Sequence, residues 1–111
     1  MIPLSTATQA RIEAMFSEKE RDRVARLLIE QCGDSLPLTS RASDDFWDRI
    51  RFAVLKLADG DLKRLVREIE GANRDWRDTL VAAGFGDDVM AHRLWNPKST
   101  MITTGRVTER A

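Results

Sequence analysis

One histidine, His92, and one cysteine, Cys32, occur in the 111 residues, so imidazole or thiolate chemistry has a single candidate for each. A nucleophilic triad needs an imidazole bonded to a serine or cysteine held in a sharp turn, with a carboxylate behind it. His92 lies in "DDVMAHRLW", where no such nucleophile accompanies it. On a helical wheel Met90, Ala91, Leu94 and Trp95 share one face and His92 projects from its margin. That phase predicts a rim residue available to a partner, with Trp95 beside it. Cys32 falls on the apolar side of a helix, directly before Gly33. Thiolates are favoured at helix N-termini or beside cations. At the opposite end of a helix, Cys32 is expected to pack as a small apolar side chain.

Metal and phosphate chemistry find less support. One histidine and one cysteine fall short of a tetrahedral zinc set. The carboxylates come as Asp44-Asp45, Asp59-Gly-Asp61 and Asp87-Asp88. Each stands at an expected helix start, where acid caps free N–H groups and complements the helix dipole. "DGDLKRLVREIE" begins like a calcium loop but lacks the glycine at its sixth position. "GFGDD" lacks a lysine and places acid where a phosphate would sit. No metal or cofactor is expected.

Charge bears on the class of partner. Lys plus Arg equals Asp plus Glu at 18 each, for a net charge of zero. Nucleic-acid binding draws much of its affinity from a positive excess, so neutrality argues against it. Two features keep it as the alternative. "WRDTLVAAGFGDDVMAHRLW" reads as helix, glycine-containing turn, helix, the pattern of a helix-turn-helix regulator. The second helix would nevertheless present Asp87 and Asp88 to the phosphates and offer Arg93 as its base-reading cation. A row of Lys63, Arg67, Glu70, Arg74 and Arg77 could also engage phosphate or an acidic partner. The plainer reading is a solvated face laced by Glu70–Arg74 and Arg74–Asp78 pairs, each worth a few tenths of a kcal/mol.

The elements that must position these residues read as helical throughout. Strand-like alternation is missing and β-branched residues do not cluster. Thr6 with Gln9 and Ser17 with Glu20 match capping boxes, predicting helices over 7–16 and 18–32, the second ended by a left-handed Gly33. Ser43 or Asp44 opens a third helix reaching Ala58, and a fourth runs from Leu62 to Ala83 and stops at Gly84. Asp87 caps a short fifth helix that ends before Pro97. The fourth carries a clean stripe from Leu62 through Ile69 and Trp76 to Leu80, with Asn73 as a polar intruder. The third is apolar on its main face and again at Phe52 and Leu55. Such a helix is either enclosed by neighbours or shows apolar area to a partner.

These features predict an all-α fold, a compact bundle of four to five helices in a single domain over 1–97, with 98–111 a mobile tail. No apolar run is long enough for a membrane span. The N-terminus lacks a basic leader and an apolar core, and a lone cysteine suits a reducing compartment, so a cytoplasmic location is expected. The functional expectation is a non-enzymatic module that binds another protein, as an adaptor, inhibitor or immunity-type partner. Its surface is expected to draw on Phe52, Leu55, Arg67, Arg74, Arg77, His92 and Trp95.

Overall fold

The computed structural model describes residues 2–34, 36 and 43–97; the tail expected over 98–111 and most of the loop around Pro37 lie outside them. Among the described residues the fold is all-α, five helices packed as a bundle: α1 Thr6–Met15, α2 Glu18–Gln31, α3 Asp44–Ala58, α4 Leu62–Ala82 and α5 Ala91–Leu94. Among the described residues no helix is long and apolar enough to cross a membrane.

α3 is the central element. Six consecutive residues, Ile50 to Leu55, are all buried, which requires neighbours on every side of the helix. α4, α1 and α5 pack on it, and Leu28, Leu65 and Ile69 complete the core around it. The alternative left open by its sequence is thereby settled. Phe52 is 2% exposed and Leu55 0%, so both are core residues and neither is available to a partner. Trp47, at 4%, is likewise interior. Burying a Leu or Phe side chain stabilises a fold by about 1.5–3 kcal/mol, so an enclosed α3 is the stronger use of these residues.

An all-round buried helix must also bury its polar residues, and Arg51 is 0% exposed. Its guanidinium ends on backbone carbonyls. Nε donates to Cys32 O at 2.9 Å, Nη1 to Pro3 O at 2.8 Å and Nη2 to Ile2 O at 2.7 Å. The cation thus sits at the C-terminal end of α2, where unpaired carbonyls carry partial negative charge. Gly33 belongs to the same arrangement, because a Cβ there would stand 3.1 Å from Arg51 Nη2. The expected left-handed Gly33 is not found; among the described residues the glycines with positive φ are Gly60 and Gly84. Gly33 leaves room for the guanidinium instead.

Local signals explain part of the other termini; the capping bond expected of Ser17 at the start of α2 is not formed. α1 is capped by Ser5, not Thr6: Ser5 Oγ accepts from Thr8 N at 3.0 Å and donates to Asp48 Oδ1 at 2.7 Å, fixing α1 to α3. Ser43 caps α3 and Asp61 caps α4 as their sequences suggest. α4 is not straight. Asp75 has φ −159° and ψ 93°, which divides the helix, and its carboxylate accepts from Arg77 N at 3.1 Å to start the next turn. Just before the break, Asn73 Nδ2 donates to Ile69 O at 2.9 Å and across to Gln31 O at 2.7 Å. The polar intruder in the stripe therefore ties α4 to the end of α2.

Candidate functional site

The segment from Ala83 to Trp95 gathers three of the candidate features: the glycine turn, His92 and Trp95. It begins with a Schellman closure. Gly84, at φ 84°, lets Phe85 N reach Leu80 O at 2.8 Å while Gly84 N reaches Val81 O at 3.0 Å. Two cations from α3 complete this helix end. Lys56 Nζ donates to Ala83 O at 2.8 Å and lies 5.0 Å over the Phe85 ring, and Arg49 donates to Phe85 O. Phe85 is driven inward to 2% exposure.

From there the chain departs from its expected course. Residues 87–90 form a bend and a turn instead of the first turn of α5, and the helix itself is four residues long. Met90, not Asp87, is the N-cap position and has no side-chain cap; Asp88 instead closes a local turn, its carboxylate accepting from Met90 N at 2.8 Å. This delayed start changes the phase of every side chain that follows. His92, expected at the rim, is 0% exposed; Met90 and Leu94, expected on the packing face, are 45% and 85% exposed. A wheel counted from Asp87 assumes 100° per residue through residues that are not helical.

The buried imidazole lies 5.6 Å from the Phe52 ring and 6.3 Å from the Phe85 ring. Its Nε2 is 3.1 Å from Asp45 Oδ1, and Nδ1 is buried without a hydrogen-bond partner among the described residues. Arg93 Nε donates to the same Asp45 oxygen at 2.9 Å. Burial alone would raise the Asp45 pKa, but the hydrogen bonds from Arg93 and His92 outweigh it and hold the carboxyl below its ordinary value. An Asp–His pair is the orienter-and-base half of a catalytic triad. Here the histidine side chain is 1% exposed, so a substrate has no approach to it. The pair works as a clamp fastening α5 to the start of α3. Trp95 is half-buried: its carbonyl accepts from Arg11 Nη2 at 2.8 Å, and the Arg11 guanidinium lies 3.9 Å over Phe52. Beside the Trp95 ring opens a groove of about 600 Å³ lined by Met15, Lys56, Asp59 and Pro97.

Cys32 is fully enclosed, and burial pushes its thiol up to about 12. The expected basic row remains exposed at Lys63, Arg67, Arg74 and Arg77, but the break at Asp75 places Arg77 on a new turn. Arg77 lies 5.3 Å over Trp76. Among the described residues, ion pairs join Asp45 to His92 and Arg93, and the expected Glu70–Arg74 and Arg74–Asp78 pairs are not formed. Nor do three His, Cys, Asp or Glu side chains among them converge as metal ligands would.

Part of the outside of the joint is apolar. Val81, Val89, Met90 and Leu94, at 67%, 60%, 45% and 85%, are the exposed large hydrophobic residues among those described. The backbone at Gly86 closes on Val81, where a Cβ would stand 2.8 Å from Val81 Cγ2. Val81 is thereby joined to the turn that carries Val89 and Met90. The sequence carried no sign of this grouping, because it depends on where α5 begins. The residues of the clamp were equally hidden, since Asp45 meets His92 from 47 positions away. No protein-family model matches the chain, and neither a curated protein nor a solved structure matches it significantly.

Proposed function

We propose that the protein is a non-enzymatic module that acts by binding another protein through the outer face of the α4–α5 joint. The observation that carries this reading is the segregation of exposed apolar side chains. Val81, Val89, Met90 and Leu94 fall within 14 consecutive residues, and α1 to α3 contribute none of the exposed large hydrophobics. Scattered exposed apolar residues need no explanation; a gathered set marks an interaction surface. The interior supports the same reading. The single histidine and the single cysteine, the groups best suited to general-base and nucleophilic work, are sealed in packing roles.

A helix-turn-helix reader fits this joint poorly. Four residues of α5 make about one turn. Its buried His92 faces inward, and its Arg93 is bound to Asp45.

Leu94→Asp tests the proposal. The side chain is 85% exposed, so helicity and melting should stay near those of the parent chain. Affinity capture from the native cells, quantified by mass spectrometry, should then lose its most enriched protein. An Arg67→Gln, Arg74→Gln double variant should retain it. A capture profile unchanged by Leu94→Asp, or one lost only with the arginines, refutes the assignment.

A further inference from the structure

We propose that the groove beside Trp95 binds a small zwitterion with an apolar body, the chemistry of an amino acid with a large apolar side chain. This site goes beyond the protein-binding reading and does not rest on it. Its volume of about 600 Å³ lies in the range of small-molecule pockets, which combine apolar walls with a few placed polar groups. The half-buried Trp95 ring, Met15 and Pro97 supply apolar walls. Among the described residues, the charged groups lining the groove are one cation and one anion, Lys56 and Asp59. They stand about one helical turn apart at the end of α3, yet form no ion pair with each other. Lys56 Nζ is held by Ala83 O at 2.8 Å, which uses one of its donors and leaves the others for a ligand.

Asp59 is the less expected of the two. Among the described residues it is the non-glycine residue with positive φ, at 53°, a conformation for which glycine is usual at a helix end. Its charge also stands at the C-terminal end of α3, where the helix dipole disfavours an anion. Its carboxylate has no hydrogen bond or ion pair among the described residues. Residues held in this backbone region cluster at ligand sites, where binding outweighs their cost to stability. The end of α1 adds to the same field. Gly60, where a Cβ would stand 3.0 Å from Met15 O, lets the last residue of α1 close on the turn. Two helix C-termini thus border the groove, and both favour a cation beside Asp59. The neighbouring cations do not line it: Arg11 is tied to Ala7 O and Trp95 O, and Arg49 donates to Phe85 O. A ligand that is only a cation would meet Lys56, and one that is only an anion would meet Asp59 and the helix ends. An amino acid sets its ammonium against Asp59, its carboxylate against Lys56 and its side chain along Trp95 and Met15.

Isothermal titration calorimetry of the full chain with L-phenylalanine tests the site. Binding should be saturable, with Kd at or below about 2 mM. Phenethylamine, which lacks the carboxylate, and hydrocinnamate, which lacks the ammonium, should each bind at least about tenfold more weakly. Asp59→Asn and Lys56→Gln should each weaken phenylalanine binding by about tenfold or more. Neither change attacks the fold. Asparagine accepts the left-handed conformation and removes the charge from the helix end, so Asp59→Asn should melt at or above the parent temperature. Glutamine keeps a donor for the Ala83 carbonyl. Should Lys56→Gln nevertheless melt early, Asp59→Asn and the two truncated ligands decide the matter. No saturation by about 10 mM, equal binding of either truncated ligand, or binding indifferent to Asp59→Asn would each overturn the proposal. So would an Asp59→Asn chain that melts well below the parent, since the carboxylate would then serve the fold.

Discussion

Replacing Arg51 by Met separates what the guanidinium does from what its stem does. The Met side chain keeps most of the packing inside the bundle and removes the three short bonds to Cys32 O, Pro3 O and Ile2 O. Their loss is unequal. Ile2 and Pro3 are partly or fully exposed and can turn to water, whereas Cys32 is 0% exposed. An orphaned buried carbonyl costs about 1–3 kcal/mol. Freeing the N-terminal strap also forfeits some burial of Ile2 and Leu4, which pack against the core, at about 1 kcal/mol each. Against this stands the relief of burying a cation whose ionised form is disfavoured by desolvation, a gain of a few kcal/mol. The costs together come to about 3–5 kcal/mol and the relief offsets much of them, leaving a loss of about 1–2 kcal/mol against the roughly 5–15 kcal/mol typical of a domain. For a chain of this size it corresponds to a fall in Tm of roughly 4–16 °C. Arg51→Lys should fall between, since one ammonium cannot reproduce a fork aimed at separate carbonyls. Thermal unfolding by circular dichroism reads the effect, and limited proteolysis near residues 2–5 reads release of the strap. A methionine variant that melts within about 3 °C of the parent, below the shift expected for 1 kcal/mol, would refute the reasoning. It would mean that water serves these carbonyls as well as Arg51 does.

Two further outcomes follow from the same interior. Asp45 has a depressed pKa in the folded chain, so its contribution to stability is complete above the unfolded value near 3.9 and is lost as pH falls through the folded value. Melting curves of the parent and of Asp45→Asn should therefore converge between about pH 5 and pH 2, and curves that stay parallel would exclude the clamp as a source of acid sensitivity. With its thiol pushed up to about 12 and no exposure, Cys32 should react with a disulfide reagent at neutral pH only as fast as the protein opens, and at once in denaturant. Stoichiometric labelling of the native chain within mixing time would contradict that burial.

Sequence periodicity located α2, α3 and the first half of α4 because each carries a hydrophobic phase over several turns. Ser43 and Asp61 fixed two starts through capping bonds that depend on near neighbours alone. Where one helix face had to be chosen, the same reasoning failed. α3 has no outer face along Ile50–Leu55, so Phe52 and Leu55 looked like a second, exposed stripe. The one cation in that run, Arg51, was the available sign: an arginine flanked by Ile50 and Phe52 in an apolar helix needs several acceptors if the helix is enclosed. The break at Asp75 also left a trace. Asp75 and Asp78 have the spacing of an N-cap and its third residue, concealed inside a stripe that seemed continuous.

α5 shows why the interaction surface was the least legible part. A four-residue helix has no periodicity of its own, and its phase is set by partners far away in the chain. Asp45 draws in His92 and Arg93, Arg11 holds the Trp95 carbonyl, and the Phe85 ring fills the space beneath. Once His92 and Trp95 are fixed inward, the geometry of a single turn sends Met90 and Leu94 outward. The clamp and the apolar surface are therefore two sides of one arrangement. Binding through Leu94 requires the clamp to hold, although no clamp residue need touch the partner. That coupling distinguishes His92→Ala from Leu94→Asp: the first should lower stability and partner affinity together, and the second should lower affinity alone. Loss of binding with unchanged melting in the histidine variant would place His92 in direct contact with the partner and reverse the assignment of the two faces.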